Sequence, residues 1–238
     1  MSEDPVRDLL LGELAAEPAP AAPPLSPALE AELGALEPVA PRRPLRQLAI
    51  VVAVSLVYGA GLVAALSMRR DMSELPASWI IGAGIAWLLG FAVPCYIALV
   101  PRRGSVMPRR RWAAASAIVT SIGFIALGLL VHPSGPSSAA YGWERFAHGH
   151  TCLEIGLATA LLPVLVGALF LRGALPVGSR WIAASLGAGG GCLGGLVLHL
   201  HCRIADGLHV GFIHGGVVLV AALLSAALLP RATDRPLT

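Results

Sequence analysis

The chain has 238 residues, 56% of them hydrophobic and only 13% charged, with a formal net charge of +3 and a mean hydropathy of +0.74. That balance excludes an ordinary soluble domain with a single core, and so small a charge argues against a direct nucleic-acid partner. The class it fits is an all-α polytopic membrane protein with six transmembrane helices, preceded by a short tail.

Residues 1–47 carry eight of the fourteen acids, together with a Pro/Ala stretch from Pro18 to Pro27. This composition cannot close a core, so the segment reads as a largely disordered tail. Two short helix signals interrupt it. Asp4 precedes Pro5, with Val6, Leu9, Leu10 and Leu14 on one stripe, and Ser26 precedes Pro27, with Leu29, Leu33 and Leu36 at helical spacing. A leucine stripe too short to be stable alone can fold into a groove on a partner, so these six leucines are the candidate docking residues. The segment starts acidic and lacks an apolar stretch after a basic start, so no cleavable signal peptide is expected and the first span is its own insertion signal.

Six runs then reach the roughly 20 apolar residues that about 30 Å of hydrocarbon requires: Leu48 to Ser67, Trp79 to Val100, Trp112 to Val131, Cys152 to Leu171, Trp181 to Leu200 and Val210 to Leu229. They define a transmembrane domain over residues 48–229 and a C-terminal tail over 230–238. Basic flanks stay in the cytoplasm. With both termini inside, twelve arginines fall on inner flanks (Arg42, Arg43 and Arg46, the Arg102 to Arg111 loop, Arg172, Arg180, Arg231 and Arg235), against Arg69, Arg70, Arg145 and Arg203 outside. The expected location is therefore a bacterial inner membrane, both termini cytoplasmic, with lipid as the surrounding partner.

This orientation puts all seven histidines and two of the four cysteines at the outer ends of the spans. Cys95 and Cys192 sit mid-span and read as small buried residues. Spans 4 and 5 form a hairpin about the Gly173 to Ser179 loop. Counting from Pro176 gives 24 residues to Cys152 and 26 to Cys202, which brings both thiols to one height. His148 and Cys152 are i, i+4, and His199 and Cys202 are i, i+3, so each pair shares a helix face. Together they would supply four N/S ligands suited to Zn²⁺ or another soft divalent ion, with His150, His201, His209, His214 and Glu154 as alternates or supporting groups. No cofactor is certain from this pattern. The competing chemistry is a Cys152 to Cys202 disulfide, and the bland reading is polar side chains tolerated at a membrane edge.

Span 5 holds Gly187, Gly189, Gly190, Gly191, Gly194 and Gly195. Without a lysine or a strand-to-helix turn this is no phosphate loop. The Gly187, Gly191, Gly195 spacing is a small-xxx-small seam for close helix packing, with Gly215 and Gly216 of span 6 as candidate counterparts. Pro94 and Pro163 are expected to kink spans 2 and 4.

The second half resembles the six-span NrsF family, negative regulators of sigma factor F. The matching features are Cys152 entering span 4, Pro163 within it, the turn Leu171-Arg172-Gly173-Ala174-Leu175-Pro176, the glycine-rich span 5, and its exit Leu198-His199-Leu200-His201-Cys202. In the first half the likeness rests on the leader ending Pro41-Arg42-Arg43-Pro44 and on the span count. The resemblance implies a membrane anti-sigma factor that holds an extracytoplasmic-function sigma factor until the outer face senses stress, with Cys152 and Cys202 as the family's cysteine pair. Where the family tends to carry Trp-Tyr early in span 6, this chain has Ile213-His214, which suggests a metal-responsive variant or a different input. The alternatives are a membrane thiol or metal oxidoreductase, disfavoured by the lack of CxxC pairs, and a metal facilitator, disfavoured by the lack of midplane charges. No enzyme activity is expected, and self-association into a homo-oligomer is left open.

Overall fold

The computed structural model describes residues 26–35, 43–101, 110–133, 149–171 and 180–233. The chain divides into two units, Met1–Arg42 and Arg43–Thr238. In the first, helix α1 spans Pro27–Gly34. The Ser26 hydroxyl accepts a hydrogen bond from the Leu29 amide at 3.3 Å, which is the N-cap arrangement, and Pro27 occupies the first helical position. Leu29 is exposed and Leu33 lies within the helix. Leu36 and the Leu9, Leu10, Leu14 stripe lie outside the described residues.

The second unit contains α2 (Pro44–Leu66), α3 (Ala77–Leu99), α4 (Arg110–Leu130), α5 (Gly149–Leu171), α6 (Arg180–His201) and α7 (Gly215–Thr233). A 3₁₀ turn, Met72–Glu74, sits between α2 and α3, and a π-helical turn, His209–His214, leads into α7. Among the described residues there is no strand. Six helices are long and apolar enough to cross a membrane, one for each of the six apolar runs. Helices α3 and α5 continue through Pro94 and Pro163, and the Ser185 hydroxyl donates to the Pro94 carbonyl at 3.0 Å.

Helix α6 is the central one. Its most apolar stretch is 83% buried, against 22–44% for the other five, and it packs against each of them. Where the surroundings are as apolar as the side chains, helices associate through close packing rather than through the hydrophobic effect, and glycine permits the closest approach. A Cβ on Gly191 would lie 2.5 Å from the Val218 Cα, and one on Gly187 would strike the Ala221 carbonyl, so both glycines seat α7. Gly195 faces the Trp87 ring of α3 instead, and Gly194 meets the backbone of Gly156 on α5. The expected seam therefore splits between neighbours, because successive glycines around α6 face different helices.

The anticipated counterparts on span 6 also differ. Gly215, together with Gly211, packs on α4 at Ile125 and Leu129, while Gly216 meets nothing. Trp87 stacks on Phe124 at a 4.0 Å centroid distance, closing the core between α3 and α4. Large apolar side chains such as Val57, Val119, Leu130 and Leu169 face outward from the peripheral helices.

Side-chain contacts gather one end of every span. The His201 ring bonds to the Ser67 carbonyl where α2 stops, Trp79 at the start of α3 donates to the Val131 carbonyl beyond α4, and Cys152 of α5 meets Cys202 beyond α6. The helices thus alternate in direction, and the six described histidines all lie at this shared end. His148 falls outside the described residues.

Candidate functional site

The approach of the two thiols starts from glycine. Cys152 and Gly156 stand one turn apart on α5, and Gly194, Leu198 and Cys202 repeat at four-residue intervals along α6. The helical pattern persists through Cys202, whose amide bonds to the Leu198 carbonyl at 2.7 Å. Contact between Gly156 and Gly194 brings the two backbones together, and the same faces carry Cys152 one turn along α5 and Cys202 two turns along α6. Their Sγ atoms lie 3.6 Å apart, with Cys152 half-buried and Cys202 buried.

The chain then turns through Arg203 to Asp206. Asp206 Oδ1 accepts the His209 amide at 2.9 Å and so caps the start of the final span. Positions five apart on an α-helix point about 140° away from each other. The π-helical turn removes that divergence, since its repeat closes i to i+5 and Gly215 N–H donates to the Val210 carbonyl. His209 and His214 consequently stand together, their rings edge to face at 5.1 Å, both almost fully buried. His209 Nε2 lies 3.5 Å from Cys202 Sγ.

One ligand atom from each of Cys152, Cys202, His209 and His214 lies within 4.8 Å of every other. These four of the eight His and Cys candidates are brought together. His199 is not among them: its Nε2–H donates to the Ile80 carbonyl at 3.0 Å and its ring rests on Trp79 at 4.8 Å. The shared face drawn from the i, i+3 spacing is spent on α3, whose carbonyl satisfies the buried imidazole. His201 turns to the Ser67 carbonyl at 2.8 Å, and His150 and Glu154 are exposed on α5.

Sequence reasoning counted Arg69 only as a loop charge and did not consider Asp71. Arg69 Nε and Nη2 each donate to Asp71 at 2.8 Å, Nη1 donates to the His199 carbonyl at 3.3 Å, and Nη2 reaches the Arg203 carbonyl at 3.3 Å. The Arg69 amide also bonds to the Leu200 carbonyl. A cation here satisfies the terminal carbonyls of α6 and complements the negative end of its dipole. The hydrogen bonds from Arg69 hold the Asp71 carboxyl below its ordinary pKa, with burial opposing and the arginine charge assisting. The sequence signal, had it been weighed, was a lone Arg-x-Asp in a short loop.

The arrangement has two chemistries available. The thiols can close a disulfide, giving up two protons and two electrons to an oxidant, or the four N/S donors can close on a soft cation. Six apolar helices around a glycine-rich centre, with a thiol pair and paired imidazoles at one end, define a six-span all-α protein compatible with multi-pass membrane insertion. The chain belongs to the NrsF family, negative regulator of sigma F, whose family model matches residues 34–233. Comparison with curated proteins and with solved structures returned no match.

Proposed function

We propose that this protein is an anti-sigma factor of a bacterial inner membrane. It sequesters an extracytoplasmic-function sigma factor and releases it on a metal or thiol-redox signal received at Cys152 and Cys202. The observation that carries the sensing step is the thiol pair at 3.6 Å within a chain of the sigma F regulator family. Both termini are cytoplasmic in this reading, on the strength of the twelve inner arginines against four, so the thiol pair faces outward. Residues 1–47 form the cytoplasmic tail, 48–229 the transmembrane domain and 230–238 the C-terminal tail. The protein acts as a regulator rather than a catalyst.

The energetics suffice. A disulfide constrains a chain by about 2–4 kcal/mol, which is roughly 30- to 900-fold in a coupled equilibrium and enough to shift a partner's occupancy. Docking is assigned to the leucine stripes of the tail, of which Leu29 is exposed on α1. The test is affinity capture of tagged protein from detergent-solubilised native membranes, with and without residues 1–47, before and after treatment with a disulfide-class oxidant or a soft metal salt. A sigma factor recovered from the full chain, absent without the tail and lost on treatment, is expected. Recovery without the tail would move docking to the Arg102 to Arg111 loop, and the absence of any sigma factor would end the proposal.

A further inference from the structure

We infer that Cys152, Cys202, His209 and His214 form an N₂S₂ site for a divalent cation of the zinc class, assembled by the π-helical turn. The inference rests on the reading above, in which the thiol pair receives the signal, and it names the ligand.

Three observations converge. The first is spacing. A tetrahedral ion with Zn–S of about 2.3 Å and Zn–N of about 2.0–2.1 Å places its ligands about 3.8 Å apart for S to S and about 3.5 Å for S to N. The structure has 3.6 Å between the two Sγ atoms and 3.5 Å between Cys202 Sγ and His209 Nε2. With no pair of ligand atoms more than 4.8 Å apart, closure around an ion takes a side-chain movement of about 1 Å, which a rotamer adjustment supplies.

The second is a set of buried polar atoms that the fold leaves without partners. His214 Nε2, His209 Nδ1 and Asp206 Oδ2 are all buried and make no hydrogen bond. Buried polar groups are nearly always satisfied, so three in one neighbourhood point to a missing binding partner. They are also complementary. Histidines on a metal commonly donate the second ring N–H to a carboxylate, and Asp206 already holds the His209 amide, which leaves its second oxygen as the acceptor for Nδ1–H once Nε2 is taken by the ion. Asp206 is thus a positioning residue.

The third is charge. Binding releases the two thiol protons, and a doubly charged cation with two thiolates and two neutral imidazoles has no net charge, which suits a site where three of the four ligands are buried. Cys152, the half-buried member, is the point of entry. The π turn belongs to the same design: an α-helical His209 to His214 segment would direct the two rings apart, and π turns concentrate at functional sites.

The experiment titrates the full-length reduced protein in detergent with Co²⁺ as the probe, then displaces it with Zn²⁺. Visible ligand-field bands of tetrahedral intensity and a near-ultraviolet thiolate-to-cobalt band, saturating at one equivalent, are expected. His209→Ala and His214→Ala should each weaken binding by about a hundredfold, Asp206→Asn by about tenfold to a hundredfold, and His150→Ala not at all. His214→Cys should restore tetrahedral binding with a stronger thiolate band. Oxidant-driven closure of the Cys152 to Cys202 disulfide in the histidine variants shows that they remain folded. Full retention of tetrahedral binding in His209→Ala and His214→Ala, or failure of the folded wild type to bind, would overturn the inference. Sigma-factor capture from the same samples separates the two readings. Release by oxidant without metal binding leaves the anti-sigma proposal standing, whereas loss of sigma-factor binding itself sinks that proposal whatever the cobalt spectrum shows.

Discussion

Arg69 donates to the main-chain carbonyl of His199, 130 residues away in sequence and three residues before Cys202. The same guanidinium grips Asp71 with two hydrogen bonds, reaches the Arg203 carbonyl and lies 5.7 Å over the Trp79 ring. The α2–α3 loop is therefore tied across the end of α6 where the thiol site begins. The Arg69 side chain is 2% exposed and that of Asp71 18%, so solvent screens this pair only in part. Replacing Arg69 with Met strands one buried carbonyl, one part-buried carbonyl and one carboxylate, and a loss of about 2–4 kcal/mol is expected. Arg69→Lys keeps the charge but loses the planar fork, and should fall between wild type and Met. Thermal unfolding in detergent, followed by tryptophan fluorescence, measures both. A Met variant as stable as wild type would show that the strap does not hold the end of α6.

The pH dependence of that strap has a defined sign. Hydrogen bonds from Arg69 depress the folded Asp71 carboxyl below 3.8. A depressed carboxyl contributes its stability fully above its unfolded pKa and loses it as pH falls through the folded value. Stability attributable to this pair should stay level from neutral pH to about 4 and decline below that. Asp71→Asn should remove that part of the acid sensitivity, which the difference between the two acid-unfolding curves reads directly. Parallel curves would contradict the assignment.

Glycine is needed at some positions of this fold and incidental at others. At Gly194 an added Cβ runs into the backbone of Gly156, which has no side chain to move aside, and at Gly195 it meets the Trp87 ring. Ala at either should cost about 1–3 kcal/mol through overpacking, and Gly194→Ala should also slow disulfide closure by separating α5 from α6. Gly216 meets nothing within 4 Å. Ala there should be neutral or stabilising by about 0.5–1 kcal/mol, because it removes backbone freedom from the unfolded chain. Melting temperatures of the three variants, ranked in the opposite order, would refute this account of the packing.

Much of this architecture is legible from residue order alone. Span number follows from hydrophobic length, and the common height of Cys152 and Cys202 follows from nearly equal counts about Pro176, since rise per residue is nearly constant. Helix rotation is not legible, because it is set by tertiary contacts such as Gly194 on Gly156 and Gly195 on Trp87. That is why His199 could be paired with Cys202 on paper while its ring bonds to Ile80. His209 and His214, five apart, share no α-helical face, so their convergence depends on a local change of hydrogen bonding that the apolar pattern does not announce. The burial of Arg69 is likewise a tertiary property, created by carbonyls of α6 that the loop reaches only after folding.

The four cysteines should respond to oxidants as two separate classes. Cys95 and Cys192 have no exposed surface and lie inside apolar spans, where a charged reagent meets the full cost of leaving water. Cys152 is half-buried with its Sγ 3.6 Å from that of Cys202, which places the two sulfurs in van der Waals contact and ready to pair. Limited treatment of the folded protein with a diazene-dicarboxamide oxidant should thus yield a single intramolecular bond, with two protons and two electrons passing to the oxidant. Intact mass then falls by two hydrogens, and peptide mapping joins the segment containing Cys152 to the one containing Cys202. Cys152→Ser or Cys202→Ser should abolish that product while leaving the other two thiols protected from a charged maleimide until denaturant is added. Modification of Cys95 or Cys192 in the folded protein, at a rate comparable to that of Cys152, would mean that the core around α6 opens to water.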